Sequence, residues 1–392
     1  MGILLFLESN TEKNMIKENE IIEKIKDEQE GYSDDSLYNI TSFGTDLSFR
    51  EIVSMYKEGD LEKPEMQRKY VWNKSEASRF IDSILLGLPV PSIFLAKTPS
   101  NKRLIVDGYQ RIMTVYDYIE EGVFGGDGKV FKLSNTESIN SKWRGKAYTE
   151  LTEEQKRTIR TSPIHAIVFE QKEPLDDTGM YQIFERINTG GRVLRPQEIR
   201  NCVYHGSFNA FLIELNKISV WRKILRTEVE DSRMQDVELI LRFFALLEIW
   251  DREEITHKQI NLSKYLNEFM KSQINIDNSK EAYYREMFNE TVEYLYERIG
   301  ENLFRTLKNK DGNIVWAKKV NPVVFDAVCV ATVKAKIISG FEMSDNVNLS
   351  EKYERLLQDN DFLEVTRQRT TNVDSIKKRV SIAHNILFGE NL

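Results

Sequence analysis

The segment Ile105-Val106-Asp107-Gly108-Tyr109-Gln110-Arg111 brings together residue types that can do chemistry. An apolar run ends in an acid, a glycine follows, and Ile112, Met113, Tyr116 and Ile119 then recur at helical spacing. A helix start offers unpaired backbone N–H groups and the positive end of the helix dipole. Gly108 lets a ligand approach the backbone, so the turn reads as an anion site. Arg111 adds a planar fork matched to phosphate oxygens. Asp107 cannot itself favour a phosphate. It can hold a Mg²⁺ that bridges phosphate oxygens, fix Arg111, or bind a sugar hydroxyl. The plainer alternative is an Asp N-cap with an exposed Arg in the first turn.

Other segments carry weaker signals. In Pro64-Glu-Met-Gln67-Arg68-Lys-Tyr-Val-Trp72, Gln67 and Arg68 are polar residues in an apolar-aromatic stretch; the alternative is an exposed pair beside a core Trp72. In Phe184-Glu-Arg186-Ile-Asn188-Thr189-Gly190-Gly191, a polar loop with two glycines can close over a phosphate or ribose, or can simply end a helix. Glu170-Gln-Lys172 follows an apolar strand at 164–169. With Asp107 as the upstream acid it would make a two-metal nuclease set, although such a triplet arises easily by chance in a chain that is 30% charged. Of the four histidines, His165, His205, His257 and His384, none starts a His-x-x-Pro pattern and no two lie at ligand spacing. His165, inside the apolar strand, reads as a core histidine. Arg367, Arg369, Lys377, Lys378 and Arg379 can contact phosphates or form the solvated face of the last helix. No Ser-His-Asp arrangement or Walker loop is legible.

The elements around these segments follow from pattern. Tyr38–Phe43 reads as a strand, and a helix runs from Ser48 to Gly59. Asn73 and Glu76 form a capping box before Ala77, Phe80, Ile81, Ile84 and Leu85, with Pro89 and Pro91 forbidding continuation. Ser92–Ala96 and Arg103–Val106 read as strands. The Gly-rich stretch 121–150 reads as a hairpin with an insertion, and Met180–Ile187 as a helix. Beyond residue 206 a 3.6 period dominates, apart from a hairpin at Asp311-Gly312. These patterns divide the chain into a mobile arm at 1–35, an α+β domain at 36–205 and an all-helical domain at 206–392.

Composition narrows the function classes. The chain has 392 residues, 41% of them hydrophobic, enough to bury a core. Lys+Arg is 55 against Asp+Glu 62, a formal charge of −7, which argues against coating nucleic acid non-specifically but leaves room for a local basic cleft. Two distant cysteines make neither a disulfide framework nor a zinc site. The short apolar N-terminal run lacks the features of a signal peptide, and no run approaches a membrane span. The expectation is a soluble, cytoplasmic protein with no membrane partner.

Taken in order, the motifs resemble the N-terminal domain of GmrSD-type modification-dependent restriction endonucleases. They are Gln67-Arg68 with Trp72, Phe80-Ile-Asp82-Ser83 leading to Pro89-Val-Pro91, Asp107-Gly-Tyr-Gln-Arg111, Arg186-Ile-Asn188-Thr-Gly-Gly191, and Leu194 through Glu198-Ile-Arg200-Asn201. The resemblance extends to Asp236, Glu238 and Arg242-Phe243. It implies a ParB/sulfiredoxin-like fold with a nucleoside-triphosphate site in which Asp107, Gly108, Gln110 and Arg111 participate. Arg111 and the backbone at 108–110 would hold phosphates, Asp107 would organise Mg²⁺ or Arg111, and Gln110 would position a phosphate or the attacking water. Gln67, Arg68, Arg186 and Asn188 extend the site. Tyr109 stands where the usual pattern has a glutamine, and either stacks on a base or packs. The implied role is a nucleotide-binding, NTPase-type sensor or regulatory component of a prokaryotic restriction and antiviral defence system, without a His-type nuclease of its own. DNA is a second ligand class, a nuclease chain the implied partner, and a non-enzymatic DNA-binding or interaction module the alternative.

Overall fold

A computed structural model describes residues 21–24, 38–63, 72–98, 101–120, 124, 129–173, 178–187, 194–204, 206–251, 260–339, 348–367 and 370–389. The chain divides into two compact units, one of residues 31–209 and one of residues 1–30 with 210–392.

The 31–209 unit is built on a five-stranded sheet in the order β1-β5-β3-β4-β2. β1 (Tyr38–Ser48) pairs antiparallel with β5 (Pro163–Glu173), and β5 pairs parallel with β3 (Ile93–Lys97). β3 runs antiparallel to β4 (Arg103–Asp107), which pairs parallel with the two-residue β2 (Leu61–Glu62). Helices α1 (Phe49–Glu58), α2 (Lys74–Leu85), α3 (Tyr109–Ile119) and α4 (Glu153–Thr161) share one core with the sheet. Phe49, Ile52, Ile81, Ile112, Val115 and Ile159 bury there against Ile93, Leu95, Ile105, Ala166 and Val168. Burial of such side chains, at about 25 cal/mol per Å² of apolar surface, is the main force holding the layers together.

The helix ends form as their sequences dictate. Ser48 and Glu51 cap α1 reciprocally, and Gly59 ends it in the left-handed conformation. Asn73 and Glu76 do the same at the start of α2. The stretch 129–150 differs from the expected hairpin. Its described residues form turns, a short 3-10 helix at Tyr148–Glu150, and isolated bridge positions, Lys132 pairing with Ala147. They are fastened instead to α2: Asp82 accepts from the Asn140 N–H at 3.0 Å and from Trp143 Nε1 at 2.7 Å, and the Ser78 hydroxyl accepts from the Ser134 N–H at 2.8 Å. Side-chain bonds to one aspartate replace the strand ladder. Helices α5 (Thr178–Ile187) and α6 (Pro196–Val203) follow β5.

The helices that follow are α7 (Ser207–Leu215), at the boundary, and in the other unit α8 (Ser219–Leu225), α9 (Gln235–Asp251), α10 (Leu262–Ser272), α11 (Asn278–Ile299), α12 (Pro322–Ser339), α13 (Leu349–Gln358), α14 (Asn360–Arg367) and α15 (Val373–Phe388). The hairpin at Asp311-Gly312 joins Leu307–Lys310 to Asn313–Trp316, with both turn residues at positive φ. Asp326 of α12 accepts from Arg242 of α9 and Arg379 of α15, all three buried, so the Arg242 singled out in sequence is a packing element. Asp236 likewise receives Arg222 and Asn216 in the interior. Of the segment 1–35 expected to be a mobile arm, residues 21–24 are held in this unit. Ile22 is buried and bridges to Val320, and Glu23 accepts from Lys308 and Asn321. An apolar residue at the bridge is what fixes it. Among the described residues, no helix is long and apolar enough to cross a membrane.

Candidate functional site

β4 ends at Asp107, Gly108 turns the chain with φ 98°, and α3 begins at Tyr109. No side chain caps the helix, and its first internal bond runs from the Ile112 N–H to the Gly108 carbonyl. Asp107 is therefore not the N-cap. Its carboxylate instead accepts from Arg111 Nη2 at 2.6 Å. The Arg111 side chain is only 15% exposed, against 42% for Asp107, and the buried Arg111 Nε has no partner. So the exposed first-turn arginine of the plainer alternative is not what forms. A mostly buried guanidinium, held by one acid and retaining an unused donor, stands beside an open helix start.

Gly108 is glycine for a different reason from the one expected. A Cβ there would lie 2.4 Å from Ile93 Cγ2 and 3.3 Å from Arg111 Nη2. The space is taken by the neighbouring strand and by Arg111, not kept for a ligand. The positive φ adds a second requirement for glycine.

Tyr109 packs against the core of the sheet unit. Burial, with Tyr56 and Asp117 adding repulsion, pushes its hydroxyl pKa up to about 12. It takes the packing option of the two the sequence left open. Gln110 Oε1 accepts from the Trp72 N–H at 3.3 Å, so this side chain ties the start of α3 to the residue before the α2 cap. Gln67 and Arg68 lie outside the described residues. Of the residues that flank their segment, Trp72 is held at this turn, and Leu61 and Glu62 at the far end of β4. Leu61 and Glu62 pair with Arg103 and Leu104 on β4, and Trp72 bonds Gln110.

Arg186 is exposed in the last turn of α5 and donates to Gln182 at 3.2 Å. Asn188 lies outside the described residues. Within α6, Glu198 accepts from the Arg195 N–H at 2.7 Å and serves the helix start.

The two-metal nuclease set does not assemble. Asp107 sits opposite Phe94 on β3, whereas Lys97, at the other end of that strand, faces Arg103. Glu170 belongs to that other end, where it accepts from Lys97 Nζ at 2.9 Å. The two carboxylates thus stand at opposite ends of β3. His165 is not a core residue either. It lies half-exposed on the outer face, with Nδ1 2.8 Å from Asp46 and its ring over Gly44. The period-2 pleat sets the alternate residues Ile164, Ala166 and Val168 inward and His165 outward. The basic cluster near the C-terminus loses one of its cations to the interior. Arg379 is buried on Asp326 and the Thr370 carbonyl, Lys378 and Arg367 are exposed, and Arg369 lies outside the described residues.

Two side chains near the turn were missed in the sequence. Ile93 fills the place of a Gly108 side chain, and Asp117, two turns along α3, is half-buried near Tyr56 and Tyr109. Burial alone pushes the Asp117 carboxyl up to about 6. Neither had a local signature, since each acts on residues of another element or another turn.

For Mg²⁺, the described residues hold no group of three or more His, Cys, Asp or Glu suited to a metal. Asp107 supplies one carboxylate, already engaged by Arg111 through one oxygen. That fits an ion that arrives on a triphosphate and keeps most of its water, not a protein-caged ion.

Residues 49–205 match the family model of the GmrSD restriction endonuclease N-terminal domain, less than half of the 392-residue chain. This segment belongs to that domain family, and it contains the whole of β2, β3, β4 and the Asp107–Arg111 turn. The match ends before Asp236 and Arg242. No curated protein and no solved structure matches the chain.

Proposed function

We propose that the chain is a nucleotide-responsive component of a restriction or antiviral defence system, binding a nucleoside triphosphate with Mg²⁺ at the Asp107–Arg111 turn. The observation that carries this reading is the buried Arg111 guanidinium, with a partnerless Nε, beside an uncapped helix start. Arginine and backbone N–H groups are the donors that phosphate takes. Asp107, more exposed than Arg111, keeps the guanidinium oriented and offers its remaining oxygen to the incoming Mg²⁺. Gln110 is a positioning residue, since its carbonyl oxygen is committed to Trp72. Hydrolysis would need a water-orienting group, a role for which Gln67 and Arg68 are the candidates. DNA cleavage is assigned to a partner chain, because none of the four histidines stands in a nuclease pattern. Burial of Arg379 on Asp326 takes one cation out of the C-terminal basic cluster and weighs against the DNA-binding alternative.

The test is thermal melting with ATP, GTP, CTP or UTP and Mg²⁺. Ligand at about a hundred times its dissociation constant contributes about 2.7 kcal/mol, a shift of a few degrees. Arg111→Lys keeps the charge and the reach to Asp107 but loses the fork, so it should remove most of the shift. A chain that no triphosphate stabilises, or one stabilised equally with Lys at 111, contradicts the assignment.

A further inference from the structure

The sheet ends on one side with two-residue β2 and on the other with eleven-residue β1. An edge strand presents a row of unpaired N–H and C=O groups, and folds usually guard such edges with shortness, lysines, prolines or bulges. β2 is guarded by its length. β1 carries none of these devices. Its sequence, Tyr-Asn-Ile-Thr-Ser-Phe-Gly-Thr-Asp-Leu-Ser, contains no Lys, Arg or Pro. Its pairing with β5 runs from Tyr38 opposite Glu173 to Ser48 opposite Pro163 without a register shift. Phe43 is 49% exposed and Ile40 39% exposed, while Ser42, Gly44 and Asp46 are exposed as well. No strand among the described residues occupies the far side of β1.

We propose that this edge pairs with the β1 of a second copy of the chain, antiparallel about a two-fold axis at Phe43. The strand is self-complementary in that register. Phe43 is its central residue, so pairing about Phe43 sets Tyr38 opposite Ser48 and uses the strand end to end. Phe43 then meets Phe43, and Thr41 meets Thr45, both favourable cross-strand pairs. Asp46, the one charged residue of the strand, faces Ile40. The two copies of Asp46 lie six positions apart, about 20 Å at the rise of a strand, so no like charges oppose. A two-fold contact of this kind closes on itself and yields a ten-stranded sheet, not a fibre.

Sedimentation velocity on the full chain, from dilute to concentrated, tests this. A dimer is expected that Phe43→Lys abolishes without changing the far-ultraviolet circular dichroism. A cross-link fixes the register independently of that variant. Phe43→Cys should form a disulfide dimer on oxidation, and Ile40→Cys should not, because its two copies are also about 20 Å apart. The native Cys202 and Cys329 are buried and do not compete. A chain that stays monomeric throughout, a dimer that survives Phe43→Lys, or cross-linking at 40 in place of 43 overturns the proposal.

Discussion

Single side chains around the turn act in two groups. Arg111 and Asp107, bonded to each other, are the pair assigned to the proposed ligand, while Gly108, Tyr109 and Gln110 hold the turn in shape. The signature Asp-Gly-Tyr-Gln-Arg therefore mixes binding with construction, and losing binding in a Gly108 or Gln110 variant would not show contact with ligand. Asp117 provides a separate readout of this neighbourhood. Its folded-state pKa, about 6, lies above the ordinary 3.8. The folded form thus holds its proton more firmly than the unfolded chain. That contribution to stability is fully present below about pH 4 and is lost as pH rises through 6. Asp117→Asn should stabilise the chain at pH 7 by on the order of 1 kcal/mol, a figure discounted because water reaches the half-buried carboxyl. The advantage should shrink steadily between pH 6 and pH 4. Parallel melts across that range check it, and a constant difference would contradict the burial argument.

Among the elements, helix ends were the most legible. The Ser48–Glu51 and Asn73–Glu76 boxes are local in sequence, and both form. The strand-turn-helix at Asp107 was legible for the same reason. The reason for its glycine was not, because Ile93 reaches it from another strand. His165 was misread because an apolar neighbourhood in sequence does not say which way a strand residue points. The stretch 129–150 was misread because its order comes from Asp82, more than fifty residues earlier. That link gives a prediction at this scale. Asp82→Ala strands the Trp143 Nε1 donor and the Asn140 N–H, and should cost about 2–3 kcal/mol. Urea denaturation followed by tryptophan fluorescence measures it, and a loss under 0.5 kcal/mol would mean that the stretch is held by apolar packing alone.

For the whole molecule, the change of texture near residue 206 is real: strands alternate with helices before it, and among the described residues helices follow it with one small hairpin. The ends of the two compact units were less legible. Residues 21–24 belong with the helical unit through Val320, Lys308 and Asn321, a long-range association for which no local pattern exists. The family match covers most of the sheet unit, without β1, and leaves the helical unit without an assigned role. The central claim is thus confined to one place, the turn from β4 to α3, and one measurement addresses it there. Amide hydrogen exchange on the full chain, with and without a nucleoside triphosphate and Mg²⁺, reads each backbone N–H separately. The amides of Tyr109 and Arg111 lie in the first helical turn, before internal helix bonds begin at Ile112. They should exchange fast alone and slow by at least tenfold, a change of about 1.4 kcal/mol, when phosphate accepts from them. Unchanged exchange at both positions under saturating triphosphate, or protection that falls only elsewhere in the chain, would contradict the account.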